Sequence, residues 1–331
     1  MQNNKDSLIK QLRSCVNGYK PAQILMSAEE IGVFDAIARG ADTVDQIARQ
    51  INAPTQALEP ILHALENLGI LAAPAGRFSF TEYGSLLNPQ VEGCQNSYLR
   101  YAASVKTLWN SLDVAATDPN RAKENFAAIT GQNAEMSSRF LAAMDTNAKP
   151  QAKWLVNNFD FSNQDILDIG AGAGTYSAAV AKQYPTARIV AFDLPDVATH
   201  LGDNIEEAKL TQQITVTSGN YNAAIPGGAF DDVFLFAVIH QDPVDKTADL
   251  LKRIKSALKE SGRLFLTSFF VDDTRTKPDF SVIFAVEMLV MVPGGRVYSF
   301  RELEELLRAA GFRKIDKTIS TPGPATLYVA S

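Results

Sequence analysis

The sequence has little cysteine and no excess of basic residues. Cys15 and Cys94 cannot form a disulfide framework, and neither lies at the spacing of a metal-ligand motif. The 31 Lys and Arg residues are outnumbered by 37 Asp and Glu residues, which gives a net charge of −6. Such a balance does not supply the cationic surface that nonspecific nucleic-acid binding or attraction to anionic lipid requires. We therefore expect no metal and no nucleic-acid or membrane partner.

Long apolar runs are also missing. None approaches the roughly 18 residues of a membrane-spanning helix, and the longest candidate, residues 282–293, is interrupted by Glu287. The first residues contain no apolar stretch typical of a secretory signal, so we expect a soluble, cytoplasmic protein. Of the 331 residues, 46% are hydrophobic, which excludes a disordered chain. At about 150 residues per domain, this length predicts two domains.

The first 95 residues have the periodicity of a small helical domain. Apolar residues at helical spacing predict one helix over residues 20–37, a short helix over 44–51 and a longer one over 55–68 that ends at Gly69. Residues 70–80 have the pattern of a small hairpin. Helix, helix, turn, helix and hairpin in this order predict a winged helix-turn-helix.

A winged helix often binds DNA, but the candidate recognition helix here argues against that function. It carries Glu59, His63 and Glu66 and contains no Lys or Arg. A helix that reads the major groove needs Arg, Lys, Asn or Gln on its outer face, with cations nearby for the phosphates. We therefore favour a protein-contact role for this domain, dimerisation, over DNA binding.

Residues 96–150 are predicted to form a helical connector that is rich in aromatic and Met side chains. Most of these side chains are expected to form a helix-to-helix core, but a connector between domains is also where substrate pockets occur. The set comprises Tyr98, Tyr101, Leu108, Trp109, Phe126, Ile129, Met136, Phe140, Leu141 and Met144.

From residue 151 onward, apolar strands alternate with helices. This alternation predicts a parallel, doubly wound, Rossmann-like α/β sheet. Ligands of such sheets bind beyond the carboxyl ends of the strands, so the chemistry is expected there. The seven predicted strands cover residues 166–169, 187–192, 214–217, 233–239, 263–267, 312–319 and 325–330.

A glycine loop follows the first of these strands. Asp168 precedes Gly170, Gly172 and Gly174, and glycines at alternate positions let the backbone turn tightly and approach a ligand. The second strand ends at Asp193, where an acid can accept both hydroxyls of a ribose. The spacing G-x-G-x-G differs from the dinucleotide fingerprint G-x-G-x-x-G. A nicotinamide-dependent oxidoreductase is therefore the less favoured interpretation, and simple packing of the loop on its helix is a structural alternative.

The glycine loop, the segment Phe192–Pro195 and Gly294-Gly295 ahead of Ser299 together resemble class I S-adenosylmethionine-dependent methyltransferases. Over nearly its full length the chain is similar to the caffeic-acid and hydroxyindole O-methyltransferase family, which includes many bacterial enzymes. The resemblance implies a winged-helix dimerisation domain over residues 1–95, a connector over 96–150 that contributes to the substrate pocket, and a cofactor-binding domain over 151–331. It also implies a homodimer.

The resemblance assigns roles to individual residues on the cofactor side. It implies that Asp168 and the three glycines bind the amino-acid end of S-adenosylmethionine, that Asp193 holds the ribose and that Leu194 lies on the adenine. The family's adenine-contacting triplet appears here as Gly219-Asn220-Tyr221, in which Asn220 offers an amide oxygen. Further cofactor contacts are expected from Tyr221, Phe236 and Met144, and the substrate pocket is expected to be lined by Phe140, Glu287, Met288, Met291 and Val292.

On the acceptor side the resemblance implies that His240 is the general base. The family's His-Asp-Trp is His240-Gln241-Asp242 here, and the acids that orient the family's base fall on Ser268 and Val297. A base held by carboxylates keeps its tautomer and gains basicity. His240 lacks both supports, and Asp242 and Glu287 are candidates to replace them.

These residues predict methyl transfer to a hydroxyl of a small, largely hydrophobic metabolite, with His240 as general base. The methyl donor is already activated, so alignment in a dry pocket can supply most of the catalysis. Transfer to nitrogen, sulfur or carbon, mainly by proximity, is the alternative. A nicotinamide oxidoreductase and a cofactor-binding winged-helix regulator are less favoured.

Overall fold

The computed structural model of the chain describes residues 2–118, 120–127, 133–318 and 321–331. Of the connector residues named above, Ile129 and the side chain of Phe126 lie outside the described part. The chain forms two compact units, Met1–Thr107 and Leu108–Ser331. This division differs from the three predicted segments, because the boundary lies inside the stretch predicted as a connector.

The first unit is mainly helical and ends in the long helix that follows a small hairpin. Its elements are α1 (Gln2–Asn17), α2 (Tyr19–Glu30), α3 (Val33–Ala38), α4 (Val44–Ile51), α5 (Thr55–Asn67), β1 (Leu71–Ala72), β2 (Ser79–Phe80) and α6 (Asn96–Trp109). The single helix predicted over residues 20–37 is wrong, because Gly32 adopts a left-handed φ of 83° and separates α2 from α3. The helix–turn–helix of α4 and α5, followed by the antiparallel pair β1–β2, has the arrangement of a winged helix.

One apolar core holds α2 to α5 and the hairpin together, with Phe34, Leu58 and Leu62 fully buried. Helix α1, which the sequence reading missed, carries a different kind of surface. Its Leu8, Leu12 and Val16 lie at four-residue spacing and are 58%, 65% and 65% exposed. Residues four apart share one face of a helix, so α1 presents an apolar stripe that the rest of its unit leaves uncovered.

The second unit contains a seven-stranded sheet with helices on both faces. Its elements are α7 (Leu112–Ala115), α8 (Asn120–Ala127), α9 (Ala134–Asn158), β3 (Asp165–Ile169), α10 (Thr175–Gln183), β4 (Arg188–Asp193), α11 (Pro195–Glu207), β5 (Ile214–Ser218), β6 (Phe230–Phe236), α12 (Val244–Ala257), β7 (Leu258–Ser268), α13 (Asp279–Met291), α14 (Phe300–Ala309), β8 (Ile315–Thr318) and β9 (Thr326–Ala330). The strand order is β5-β4-β3-β6-β7-β9-β8. The predicted doubly wound α/β class is confirmed.

The sheet is mixed and not wholly parallel as predicted. Strands β3 to β7 pair in parallel, whereas β9 lies antiparallel to both β7 and β8. A short connection between β8 and β9 allows this arrangement, because antiparallel neighbours need no crossover helix. Apolar side chains of α12 and α14 pack in one core cluster, and those of α9, α10 and α11 pack in another.

The fourth strand of this unit ends earlier than the predicted 233–239. Strand β6 stops at Phe236, Ala237 takes a positive φ of 55°, and residues 239–241 form a short 3-10 turn. His240 therefore lies beyond the strand, at the carboxyl edge of the sheet. The apolar run that begins at residue 282 belongs to α13. The helical period was not visible in the sequence because this helix carries apolar side chains on all of its faces.

An ion pair between β6 and β7, in which the carboxylate is buried, provides a stability test. Nε and Nη2 of Arg263 donate at 2.8 Å to the two carboxylate oxygens of fully buried Asp232. Arg263→Leu leaves that carboxylate unpaired and is expected to lower the free energy of unfolding by about 3–5 kcal/mol at pH 8. Burial raises the pKa of Asp232, so protonation should reduce the loss at pH 5. Urea unfolding of the wild type and the variant at pH 8 and at pH 5 measures the loss in the free energy of unfolding.

The matched control is Arg188→Leu, which removes an exposed arginine paired with Asp165 at 2.8 Å. Exposed ion pairs contribute little to stability because water and salt screen them. An equal loss of stability in the two variants would contradict the importance of burial at Asp232.

Candidate active site

The glycine loop between β3 and α10 combines tight packing with one open position. Gly170, Gly172 and Gly174 all have positive φ, at 72°, 58° and 83°. A Cβ on Gly170 would lie 2.6 Å from Val238 Cγ2, and one on Gly174 would lie 2.6 Å from Leu201 Cδ1. A Cβ on Gly172 would meet no atom within 4 Å. The outer glycines therefore serve packing, whereas Gly172 leaves space above the backbone.

Asp193, at the end of β4, is fixed against this loop. Its Oδ2 accepts a hydrogen bond from Gly172 N at 2.7 Å, and its Oδ1 accepts one from Leu194 N at 2.7 Å. Each oxygen retains a second lone pair for a ligand. The structure thus brings the predicted ribose-binding acid and the open glycine together in one rigid corner.

Asp168 is buried behind the same loop. Ser177 Oγ donates a hydrogen bond to its Oδ2 at 2.6 Å, and burial, with the nearby charge of Asp193, raises the pKa of Asp168 to about 7. Within the described part of the chain no Lys or Arg pairs with this carboxylate. A buried acid that lacks a cation is costly, and such groups occur at sites that bind one.

Asp168→Asn is therefore expected to stabilise the ligand-free protein and to weaken its binding of a cationic cofactor. The folded-state pKa is raised, so the carboxylate lowers stability as pH rises from about 4 to 7, by on the order of 4 kcal/mol. The variant should melt at higher temperature than the wild type at pH 8, with little difference at pH 4. Thermal melts and titration calorimetry with S-adenosylmethionine measure the two effects. No gain in melting temperature at pH 8 would contradict the cost assigned to Asp168.

The residues after β5 are organised by Asp242. Its Oδ2 accepts a hydrogen bond from Tyr221 Oη at 2.8 Å, and its Oδ1 accepts one from Asn222 Nδ2 at 2.7 Å. The predicted adenine contact Asn220 uses its amide oxygen to accept the backbone N–H of Asn222 at 2.8 Å. Asp242 is therefore engaged with this loop and does not support His240 as the sequence suggested it could.

His240 is buried and has one hydroxyl partner among the described side chains. Its Nδ1 lies 3.3 Å from Ser268 Oγ, at the end of β7. Burial lowers the pKa of His240 to about 4, so the imidazole is neutral at physiological pH. The turn that carries it is close to the glycine loop, because Val238 is the residue that a side chain at Gly170 would strike.

An aromatic cluster that the sequence reading missed surrounds His240. Phe284 meets the imidazole edge-on at 5.0 Å between centroids, Phe269 lies 6.1 Å from it, and the two phenylalanine rings are 4.6 Å apart. Phe280 adds a third ring 5.0 Å from Phe269. The signal in the sequence was the four-residue spacing of Phe280 and Phe284, which puts both rings on one face of α13.

The other predicted site residues are dispersed over the second unit. Phe236 is buried at the carboxyl end of β6, with its ring 4.2 Å from Tyr176 and 5.0 Å from Phe234, and its contact with the cofactor stays a prediction. Phe140 and Met144 are half-buried on α9, which Asp145 ties to the glycine loop by accepting the Thr175 hydroxyl at 2.6 Å. On α13 and just after it, Met288, Met291 and Val292 are buried and Glu287 is half-buried.

No group of three or more His, Cys, Asp or Glu side chains in residues 2–118, 120–127, 133–318 and 321–331 is arranged to hold a metal ion. Within those same ranges, no helix has both the length and the apolar character that crossing a bilayer requires.

Comparison with known proteins places this geometry in a family. Residues 121–313 match the O-methyltransferase domain family, and residues 14–89 match the O-methyltransferase dimerisation domain family. The chain belongs to the O-methyltransferase family. It is a methyltransferase that depends on S-adenosylmethionine.

The relatives of this O-methyltransferase align with it along nearly their whole length. The S-adenosyl-L-methionine-dependent methyl transferase PigF from Serratia sp. is 25% identical over 325 residues, which cover 94% of this chain and 92% of PigF. The solved structure of PigF with SAH has a TM-score of 0.87 at 24% identity and covers 97% and 98% of the two chains. Human N-acetylserotonin methyltransferase in complex with SAM has a TM-score of 0.86 at 25% identity and covers 98% and 97%.

The residues present fit S-adenosylmethionine. The open space above Gly172 admits a close approach of the cofactor to the backbone, and the Asp193 oxygens keep lone pairs for hydroxyl groups. The buried Asp168 carboxylate suits a ligand that carries positive charge.

Proposed function

We propose that this O-methyltransferase methylates a hydroxyl of a small, largely hydrophobic metabolite, with His240 as general base. The observation that carries the proposal is the position of His240 beyond the end of β6, beside the glycine loop and among the rings of Phe269 and Phe284. A buried neutral imidazole at that edge can accept a proton, and the aromatic rings suit an apolar acceptor.

The proposal assigns a separate role to each part of the site. When bound, S-adenosylmethionine supplies an electrophilic methyl group. Gly172 and Asp193 would hold the cofactor at the strand ends, with Asp168 supplying negative charge behind the loop. His240 Nδ1–H would donate to Ser268 Oγ, which leaves Nε2 to accept the hydroxyl proton as the acceptor oxygen bonds to the methyl carbon and the carbon–sulfur bond breaks. Exclusion of water by the aromatic rings favours this exchange.

The acceptor pocket in this proposal includes residues from two segments of the second unit. Phe140 and Met144 on α9, with Glu287, Met288, Met291 and Val292 in or next to α13, are its candidate walls. Leu194, Asn220 and Tyr221 are the candidate adenine contacts. Apolar side chains in these places would select a hydrophobic metabolite by burial of its surface.

The proposal is tested by ligand binding and by product analysis. Titration calorimetry should give binding of S-adenosylmethionine and none of NAD. Incubation of the protein and a methyl-labelled donor with small hydroxylated aromatics should give labelled ethers by mass spectrometry. Label on nitrogen, sulfur or carbon with none on oxygen would favour the proximity alternative instead.

We also propose that the protein is a homodimer assembled through its N-terminal unit. The match to a dimerisation domain and the exposed stripe of Leu8, Leu12 and Val16 on α1 support this proposal. The acidic outer face of α5, with Glu59 and Glu66, supports protein contact over DNA. A salt-sensitive complex with duplex DNA would contradict this role.

Dimerisation is expected to fail when charge is placed on the stripe. The double variant Leu12→Glu and Val16→Glu should be monomeric in analytical ultracentrifugation at micromolar concentration, because unpaired carboxylates in an apolar contact are not solvated. The matched control, Lys10→Glu and Ser14→Glu, alters the opposite face of α1 and should stay dimeric. A dimer in both variants would place the contact elsewhere.

A further inference from the structure

The surroundings of His240 limit the hydroxyl that it can deprotonate. The imidazole meets a serine hydroxyl at 3.3 Å and two phenylalanine rings, a setting that does not favour the imidazolium. A neighbouring carboxylate would stabilise that cation and raise the basicity of the ring. The contacts of His240 thus make it a weak base.

The charged groups on the elements around His240 have other partners or do not act on its charge. Asp242 of the same turn accepts hydrogen bonds from Tyr221 and Asn222. Arg296, whose backbone N–H donates to His240 O at 2.8 Å, pairs its guanidinium with Glu302.

Two acids lie on α13, the helix that carries Phe284. Asp279 pairs with Lys277 at 2.5 Å. Glu287 is half-buried one turn after Phe284 and makes contacts of its own. Burial is the cause of the lowered pKa of His240, and its hydrogen-bonding partner among the described side chains is a hydroxyl.

We propose that the acceptor is an acidic phenol that is still protonated at the working pH, of the class in which a conjugated electron-withdrawing group lowers the pKa of the hydroxyl below that of an ordinary phenol. This inference rests on the proposed O-methyl transfer and specifies its substrate. An acidic acceptor gives its proton to a weak base without a large barrier, whereas an ordinary phenol, with a pKa near 10, does not. The flat faces of Phe269, Phe280 and Phe284 suit the planar, conjugated ring system that such acceptors share.

Chemically, the step balances without a further reactant. The hydroxyl proton passes to His240 Nε2, the acceptor oxygen forms the new bond to the methyl carbon, and the carbon–sulfur bond breaks with its electron pair left on sulfur. His240 then releases the proton to solvent, which the weak basicity of the ring makes favourable.

The first experiment compares two acceptors of the same size, 4-hydroxyacetophenone and 4-isopropylphenol, in the full-length enzyme with S-adenosylmethionine at pH 6, where both hydroxyls are protonated. The conjugated carbonyl makes the first hydroxyl the more acidic, so we expect its kcat/KM to exceed that of 4-isopropylphenol by about tenfold or more. Its pH profile should be flat from pH 5 to 7, because His240 is neutral and the acceptor is protonated throughout. Equal kcat/KM for the two acceptors, or transfer to 4-isopropylphenol alone, would overturn the proposal and leave the proposed function standing. Failure to bind S-adenosylmethionine would instead refute the proposed function.

A second measurement does not depend on activity. The chain has three histidines, so the imidazole of His240 can be assigned in NMR spectra of the complex with S-adenosylhomocysteine by comparison with His240→Gln. Titration should place its pKa well below the ordinary 6.5, and a pKa at or above 6.5 would overturn the proposal. Ser268→Glu, which offers His240 a carboxylate, should raise that pKa and reduce the ratio of kcat/KM between 4-hydroxyacetophenone and 4-isopropylphenol. Ser268→Ala should do neither.

Discussion

Gly172→Ala is expected to lose most of its affinity for S-adenosylmethionine while the fold is retained. A Cβ at this position would point into space that no protein atom occupies within 4 Å, so it does not disturb packing. It would stand where the cofactor approaches the backbone, and we expect the affinity to fall by roughly a hundredfold, or about 2.7 kcal/mol. Titration calorimetry measures the loss, and circular dichroism checks the fold.

The control for Gly172→Ala must carry the same backbone strain away from the site. Gly69 has a φ of 74°, against 58° at Gly172, and a Cβ there would also meet no atom within 4 Å. Both alanine variants pay about 1–2 kcal/mol for a left-handed residue. Gly69→Ala should therefore lose stability to a similar extent and bind the cofactor as the wild type does. Equal loss of binding in both variants would mean that strain, not the open space at Gly172, is responsible.

His240→Ala is expected to lower kcat by about a hundredfold or more, with the affinity for S-adenosylmethionine unchanged. General-base catalysis contributes about 10²–10⁴-fold in enzymes, and a weak base acting on an acidic hydroxyl belongs at the lower end of that range. Single-turnover rates with 4-hydroxyacetophenone at pH 6, where its hydroxyl is protonated, measure the chemical step apart from product release.

His200 supplies the matched control for this experiment. It is an exposed residue of α11, so His200→Ala removes the same side chain with no expected effect on kcat. Full turnover in His240→Ala would refute the general-base role, although methyl transfer itself would stand.

Where local chemistry determines the structure, the sequence was sufficient to predict it. The glycines at alternate positions predict the tight turn between β3 and α10, because only glycine adopts those φ values without strain. The N-cap of α14 is likewise determined locally, since Ser299 and Glu302 form a reciprocal capping box. The α/β class was predictable because apolar strands alternate with helices along the chain.

Features that depend on tertiary contacts could not be read in this way. The antiparallel β9 is apolar like its parallel neighbours, and its direction is set by the short connection to β8. Helix α13 has no polar stripe to reveal its period. The residues that donate hydrogen bonds to Asp242, Tyr221 and Asn222, lie in a loop about 20 residues earlier in the chain. The residues next to Asp242 in the sequence therefore do not predict these bonds.

The most direct test of the proposed function is to determine which atom of the acceptor receives the methyl group. The wild-type enzyme, in excess over 4-hydroxyacetophenone at pH 6, is incubated with S-adenosylmethionine that carries a deuterated methyl group, and the product is examined by mass spectrometry and NMR. The proposed function requires the deuterated methyl on the hydroxyl oxygen, at a rate that His240→Ala lowers about a hundredfold. A deuterated methyl on carbon, or an equal rate in the variant, would contradict it.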